Sequence, residues 1–542
     1  MSFLCLSCTP PAPVDRLFVG GIVHLPDRPP QQREVAVADG RIVALVAPEE
    51  APSWRRRARE VVPIPQAHVY PGFTESHGHL TGFGAALETV DLTGAGSYQE
   101  VIQRLAAKAH QLPPGSWVLG RGWDQNLWEG KAFPHHRELS QAIPHHPVLA
   151  RRVDGHALLV NEHALQLAGI TAQTPDPPGG QILRDAQGQP TGVLVDAAGD
   201  LVERVLPQPS VEELQRRQLA AAHRLASFGI TSIHDAGTTA RELEALRLLA
   251  GLGQLPIRVY VMLDGSDEQL LAQELARGVQ TAPDGMLTVR AVKLYADGAL
   301  GSRGAWLSQP YEDAPGQVGL SLTPLQRLRD VVARAAAAGF QPCIHAIGDE
   351  AVHQVLNLYE ELLAGRAASL RPRVEHAQVV RPEDVPRFAQ LQVIASVQPT
   401  HCTSDMPWAP ERLGPSRIAW AYRWRSLVDA GARLCLGSDV PVEHPDPRLG
   451  IWAAVTRKTP QGHPPQGWNP AERLTLGEAV AGFTQWAAYA AFEETVRGRI
   501  APGMWADLTI FDRPLEEGNA LSAQLLRTVV GGKDVFVARG GP

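Results

Sequence analysis

Cysteine is scarce: five in 542 residues, at positions 5, 8, 343, 402 and 435. An odd, scattered set argues against a disulfide framework and leaves a reducing cytoplasm as the expected location. Only Cys5-Leu6-Ser7-Cys8 has a metal-like spacing. Long apolar runs are missing too; none approaches the ~20 residues of a membrane span. The apolar opening, Met1 to Cys8, has no basic start and is too short for an ordinary signal peptide, so residues 1–14 are expected to be a disordered extension. Charge of one sign does not accumulate. The net charge of −7 is mild and spread along the chain, which argues against nucleic acid as a partner. Lysine supplies only five of the 50 basic residues, so each lysine can be weighed singly. What remains, 44% hydrophobic and 20% charged, is the composition of a soluble globular protein with ample core.

The chain is organised around Pro71-Gly72-Phe73-Thr74-Glu75-Ser76-His77-Gly78-His79-Leu80. The apolar run Ala67-His68-Val69-Tyr70 leads into it and reads as a strand end. Residues i and i+2 of a strand point to the same side, so His77 and His79 face one spot. Two neutral imidazoles converging there suit a zinc-like ion. An isolated His-x-His is more often two unrelated loop histidines; the candidate ligands downstream change that balance.

Residues 15–70 hold two β-rich runs, Arg16–Leu25 and Glu34–Val46, the second broken at an Asp39-Gly40 turn, and read as a small β domain. From 95 to 205 a helix (Gln99–His110) is followed by many Pro and Gly, too long a stretch for a loop, and this is expected to be an inserted subdomain. Within it, Gly120–Trp128 and Arg151–Ala157 set charged groups beside glycine. Each is either a turn with a packing anchor or a pocket wall. From about 210 helices (Val211–Phe228, Ala240–Gly251, Thr323–Gly339) alternate with strand-like runs ending at Asp235, Met262, Tyr295, His345, His376, Gln398 and Asp439. With the strand before His77 these make eight, which predicts an α/β fold, a closed (β/α)8 TIM barrel. A helix over Leu476–Phe492 and strand-like runs up to Asp512 and over Val529–Ala538 close the chain. The β pieces at the two ends would each lack a core alone, so they are expected to join in one composite β-sandwich. The division predicted is 15–68 and 491–542 for the sandwich, 69–94 and 206–490 for the barrel, and 95–205 for the insert.

Barrels of this kind carry their chemistry at the C-terminal ends of the strands. His77 and His79 end strand one, Lys293 lies near the end of strand four, and His345, His376 and Asp439 end strands five, six and eight. Singly, each histidine could be a core residue and Asp439 a helix N-cap. Six such groups on one rim are improbable by chance. Lys293 has its own logic. Burial in an apolar strand lowers its pKa and frees the amine, which can add carbon dioxide to become a carbamate, a carboxylate able to bridge two cations. The alternative is a lysine reaching to the rim or paired with Asp297.

The ordered motifs PGFTESHGHL, GRGWDQNLW, RRVDGHALLVN, VKLYADGALGSRGAWL, IHAIGD, VEHAQ, QPTHCTSDMPW, LGSDVPVE and PGMWADLTIFD resemble the amidohydrolase superfamily. The likeness is to its YtcJ-like branch, which includes N-substituted formamide deformylase, and it covers the chain from about residue 15. It implies a metal-dependent hydrolase with His77, His79 and Asp439 on a first metal, carbamylated Lys293 as the bridge, and His345 and His376 on a second, the two divalent ions being zinc. One departure is Glu75, where the family usually has Asp two residues before the first His.

On those parts a metal-bridged hydroxide would attack an amide-like C–N bond, with Asp439 moving the proton to the leaving nitrogen. Trp123, Asp124 and His156 from the insert, and Arg303 and His401 from rim loops, are candidates to shape the substrate pocket. The expected partner is a small molecule, with neither nucleic acid nor membrane involved and a homodimer left open. Two other functions stay open: a deaminase attacking a ring amidine through one metal, and a non-catalytic regulatory or ligand-binding protein. Lys293 argues against the first and the intact ligand set against the second.

Overall fold

The computed structural model describes residues 14–25, 28–152, 157–177, 180–516 and 518–539. His156 and all of the expected N-terminal extension except Val14 lie outside them; Val14 begins a strand. The chain divides into two compact units, one comprising residues up to Phe83 and from Leu214 on, the other Gly84–Glu213. The second unit is wider than the 95–205 read from composition.

Eight parallel strands dominate the first unit: β1 (Phe73–Gly78), β2 (Ile230–Thr238), β3 (Arg258–Asp264), β4 (Leu287–Tyr295), β5 (Gln341–Ala346), β6 (Arg373–His376), β7 (Ile394–Val397) and β8 (Arg433–Leu436). They pair in sequence order, as a (β/α)8 barrel requires. Just past the last ladder the ends of β8 and β1 meet: Asp439 N–H donates to the His77 carbonyl and His79 N–H to the Val440 carbonyl, both at 2.8 Å. Helices such as Leu325–Ala337 lie outside, burying Leu328, Val331, Val332, Ala335 and Ala336 at helical spacing.

Two expectations need correction. Ala67–Tyr70 does not begin the barrel; His68–Pro71 is a sandwich strand, paired with Ile22–Val23 and Leu508–Phe511, and β1 starts after Gly72. The expected helix Leu476–Phe492 is two, Leu476–Gly482 and Gln485–Ala490, broken at Thr484 (φ −130°, ψ −87°). That break lets the second piece lay Ala490 and Ala491 across the end where the barrel strands begin: Gln341 Nε2 donates to the Ala490 carbonyl at 2.9 Å, and Ala491 packs on Tyr260, Met262 and Cys343.

The sandwich is made from both chain ends. One sheet runs Arg41–Val46, Glu34–Ala38, Val14–Val19, Ala58–Pro63; the other joins Lys533–Val537, Leu525–Val530 and Leu508–Phe511 to His68–Pro71 and Ile22–Val23. The Asp39-Gly40 turn has positive φ at both residues (50° and 72°), as a tight hairpin demands. Cys343, Cys402 and Cys435 are buried free thiols. Among the described residues no helix is long and apolar enough to cross a membrane.

Candidate metal centre

Three histidines are set by one device. His77 Nδ1 donates to Glu375 Oε2 at 2.5 Å, His79 Nδ1 to the Ala236 carbonyl at 2.8 Å, and His376 Nδ1 to Gln398 Oε1 at 2.8 Å. Each partner atom is an acceptor, so in the neutral ring the proton sits on Nδ1 and Nε2 keeps a bare lone pair. Two of those bare atoms face Asp439 Oδ1, His79 Nε2 at 3.1 Å and His77 Nε2 at 3.7 Å. Lone pairs this close repel unless a proton or a cation lies between them.

The surroundings enforce that reading. Among the described residues, Asp439 Oδ1, His345 Nε2 and His401 Nε2 are buried with no hydrogen-bond partner, a debt that isolated polar atoms rarely carry. Among the described residues two sets of ligand atoms lie within 4.8 Å of one another: His77, His79 and Asp439, and His376, His401 and Asp439. Imidazole and carboxylate are the donors a zinc-like ion takes. The residues present therefore fit a divalent cation.

Electrostatics keep most of the donors ready; His79 is the exception, because Asp439 outweighs burial and raises its imidazole. Burial, with the Lys293 charge, pushes the His77 imidazole down to about 4, and burial pushes His345 down to about 3, so both are neutral at pH 7. His376 is held well down for the same reason. Burial would raise the Asp439 carboxyl, but His79 and the neighbouring imidazoles outweigh it and keep it ionised. Lys293 is 1% exposed and its pKa is lowered, chiefly by burial. Its Nζ lies 3.4 Å from His77 Nε2. The alternative pairing with Asp297 is not made. Asp297 instead takes backbone N–H groups from Ile347, Gly348 and Trp306 at 2.7–3.0 Å.

Of the predicted groups, His77, His79, Lys293, His376 and Asp439 come together. His345 packs its ring against His376 at 4.4 Å, yet its Nε2 lies 3.5 Å from Asp297 Oδ1 and enters neither ligand set. Trp123 and Arg303 each have partners of their own. Trp123 is wholly buried in the core of the second unit, with its indole N–H donated to the Ala150 carbonyl at 2.8 Å, which makes it a packing anchor. Arg303 is held near the surface by both oxygens of Asp313, at 3.0 and 2.7 Å, so its charge is answered there. Asp124 accepts from Arg152 at 2.7 Å.

Arg373 and Glu375 went unread in the sequence as supporting residues. Arg373, with no solvent contact, holds Glu375 through Nε at 2.7 Å and also reaches the Ser76 carbonyl, Ser396 Oγ and His234 Nδ1 across the barrel. Burial would raise the Glu375 carboxyl; Arg373 and His77 outweigh it and hold it well below the usual range. The available signal was Arg373-x-Glu375, two charges on one face of a buried strand. Glu75 staples β1 to the segment after β8, accepting from Ser438 N–H at 2.8 Å, Ser438 Oγ at 2.6 Å and His77 N–H at 3.0 Å.

The chain is 32% identical over 485 residues to the putative amidohydrolase YtcJ of Bacillus subtilis (strain 168), covering 88% of this chain and 90% of that protein. It is 29% identical over 517 residues to the N-substituted formamide deformylase of Arthrobacter pascens, covering 92% and 94%. The fold superposes on the crystal structure of an uncharacterized metal-dependent hydrolase from Pyrococcus horikoshii OT3 with a TM-score of 0.78, at 29% identity over 92% of this chain and 97% of that one. Residues 64–536, which contain every barrel strand and every residue of the centre, match the amidohydrolase family, and the chain belongs to that family.

Proposed function

We propose that this protein hydrolyses a C–N bond in an amide-like small molecule, with N-substituted formamides the first class to test. The observation that carries the reading is the set of Nδ1-anchored imidazoles turned on the ionised Asp439. The likeness to N-substituted formamide deformylase supports the bond class. His77, His79 and Asp439 would hold one divalent ion and His345 and His376 would contribute to a second, both zinc. Lys293, whose pKa is lowered chiefly by burial, would as the free amine add carbon dioxide, the new N–C bond forming as one C=O π bond opens and the N–H proton passing to water, and would supply a further carboxylate ligand. When bound, such ions acidify water and offset negative charge on a carbonyl oxygen. Asp439 accepts the proton of the attacking water and delivers it to the leaving nitrogen. Glu375 and Arg373 keep the His77 ring oriented throughout.

The test is metal content per chain on protein purified without chelator in bicarbonate buffer, followed by a panel of N-substituted amides and formamides. Two ions and amine release support the proposal. One ion with activity on ring amidines would replace it with a deaminase. No ion, and no activity on adding metal back, would leave a binding protein.

A further inference from the structure

We infer that His401 is itself a cation ligand, completing with His376 and Asp439 a second holding set beside His77, His79 and Asp439. The inference rests on the metal-dependent reading above and sharpens it, since sequence reasoning placed His401 only among the pocket candidates.

Three observations converge. First, the donor atoms of His376, His401 and Asp439 lie within 4.8 Å of one another. Bonds of ~2.0–2.2 Å around a tetrahedral ion put ligand atoms about 3.3–3.6 Å apart, so side-chain adjustments of about an ångström close the set. Second, His401 Nε2 is buried and has no hydrogen-bond partner among the described residues. Asp405, one turn further along the same helix (Pro399–Asp405), has its carboxylate occupied by Gln378 Nε2 at 2.9 Å and by the Tyr422 hydroxyl. Third, Gln398 accepts from His376 Nδ1 and is also the N-cap residue of the helix carrying His401. The two rings lie nearly parallel, 9° between planes at 6.1 Å. His345 Nε2 is likewise unpartnered, but it lies 3.5 Å from Asp297 Oδ1 and outside both ligand sets.

The second ion would then depend on a short helix after β7 as well as on the barrel strands. Full-length wild-type protein, His401→Ala and His401→Cys are to be stripped, reloaded with Co(II) or zinc, and compared for stoichiometry, site affinities by chelator competition, and visible and near-ultraviolet absorption. Circular dichroism of the stripped proteins checks the fold. The expected result is two ions in wild type, and in His401→Ala at least tenfold weaker binding at one site with the other unchanged. In His401→Cys the Co(II) protein should gain a thiolate-to-metal charge-transfer band that wild type lacks. Two ions held with unaltered affinities in His401→Ala, and no such band in His401→Cys, would overturn the inference and leave the metal-dependent reading standing. A wild type that binds no metal would overturn both.

Discussion

The Arg373–Glu375–His77 chain places a solvent-free ion pair directly behind one imidazole of the centre. Glu375→Gln would keep an acceptor for His77 Nδ1 but leave the Arg373 guanidinium without its counter-charge, at a cost of about 3–5 kcal/mol. A lowered urea midpoint should report it, together with metal binding weakened about 10–100-fold, as expected when the group behind a ligand is changed. Asp439→Asn isolates the opposite effect. Asp439 sits at φ +61°, a conformation asparagine tolerates. The variant should fold as well as wild type by thermal melting and lose about 10²–10⁴ in turnover, the contribution typical of a general base. Away from the centre, His24 bonds His68 (Nε2 to Nδ1, 2.8 Å), and burial, aided by His68, pushes it down to about 4. The unfolded chain therefore binds more protons than the folded one between about pH 6.5 and pH 4, so stability falls as pH drops through that window and levels off below it. His24→Phe should flatten that slope in urea unfolding.

Elements were legible where composition and chemistry changed together. Each barrel strand is a short apolar run, and most stop at a polar or charged residue, so all eight and their order could be read. The register of the first could not. His68–Pro71 and β1 are nearly continuous in sequence, and only pairing partners some 440 residues away assign the former to the sandwich (Ile510 opposite Val69). Gly72 makes that change of sheet possible: a Cβ there would stand 2.2 Å from Thr231 Oγ1, which is itself engaged with the Phe73 carbonyl at 3.1 Å. Gly72→Ala should cost about 1–3 kcal/mol by overpacking, read as a lowered urea midpoint. His401 was harder to place, because a helix as short as Pro399–Asp405 has no periodicity to show which side chains turn inward. Glu375 was hidden for a different reason: in a four-residue strand a buried charge looks like any other interruption until its partner is known.

At the scale of the molecule, the residues between Gly84 and Glu213 have apolar cores of their own, one around Leu105, Trp123 and Leu159 and one around Leu158, Ile182 and Leu194. A segment of that size with its own core should fold independently. Expressed alone, residues 84–213 should give a cooperative melt by circular dichroism; a featureless trace would show that the core needs the rest of the chain. The sequence announced this unit by its length and its many Pro and Gly, not by metal-ligand residues at the ends of its strands.

The sandwich built from both ends of the chain has a consequence for biogenesis. While the protein is still on the ribosome, the strand His68–Pro71 has no partner in Leu508–Phe511 until more than 430 further residues have been made. At about 5–20 residues per second that is a wait of roughly 20–90 s. The His77 strand must wait almost as long for the Asp439 segment that closes the barrel. The nascent chain thus displays open sheet edges for most of its synthesis, which makes it a natural client for chaperones that hold unfinished chains.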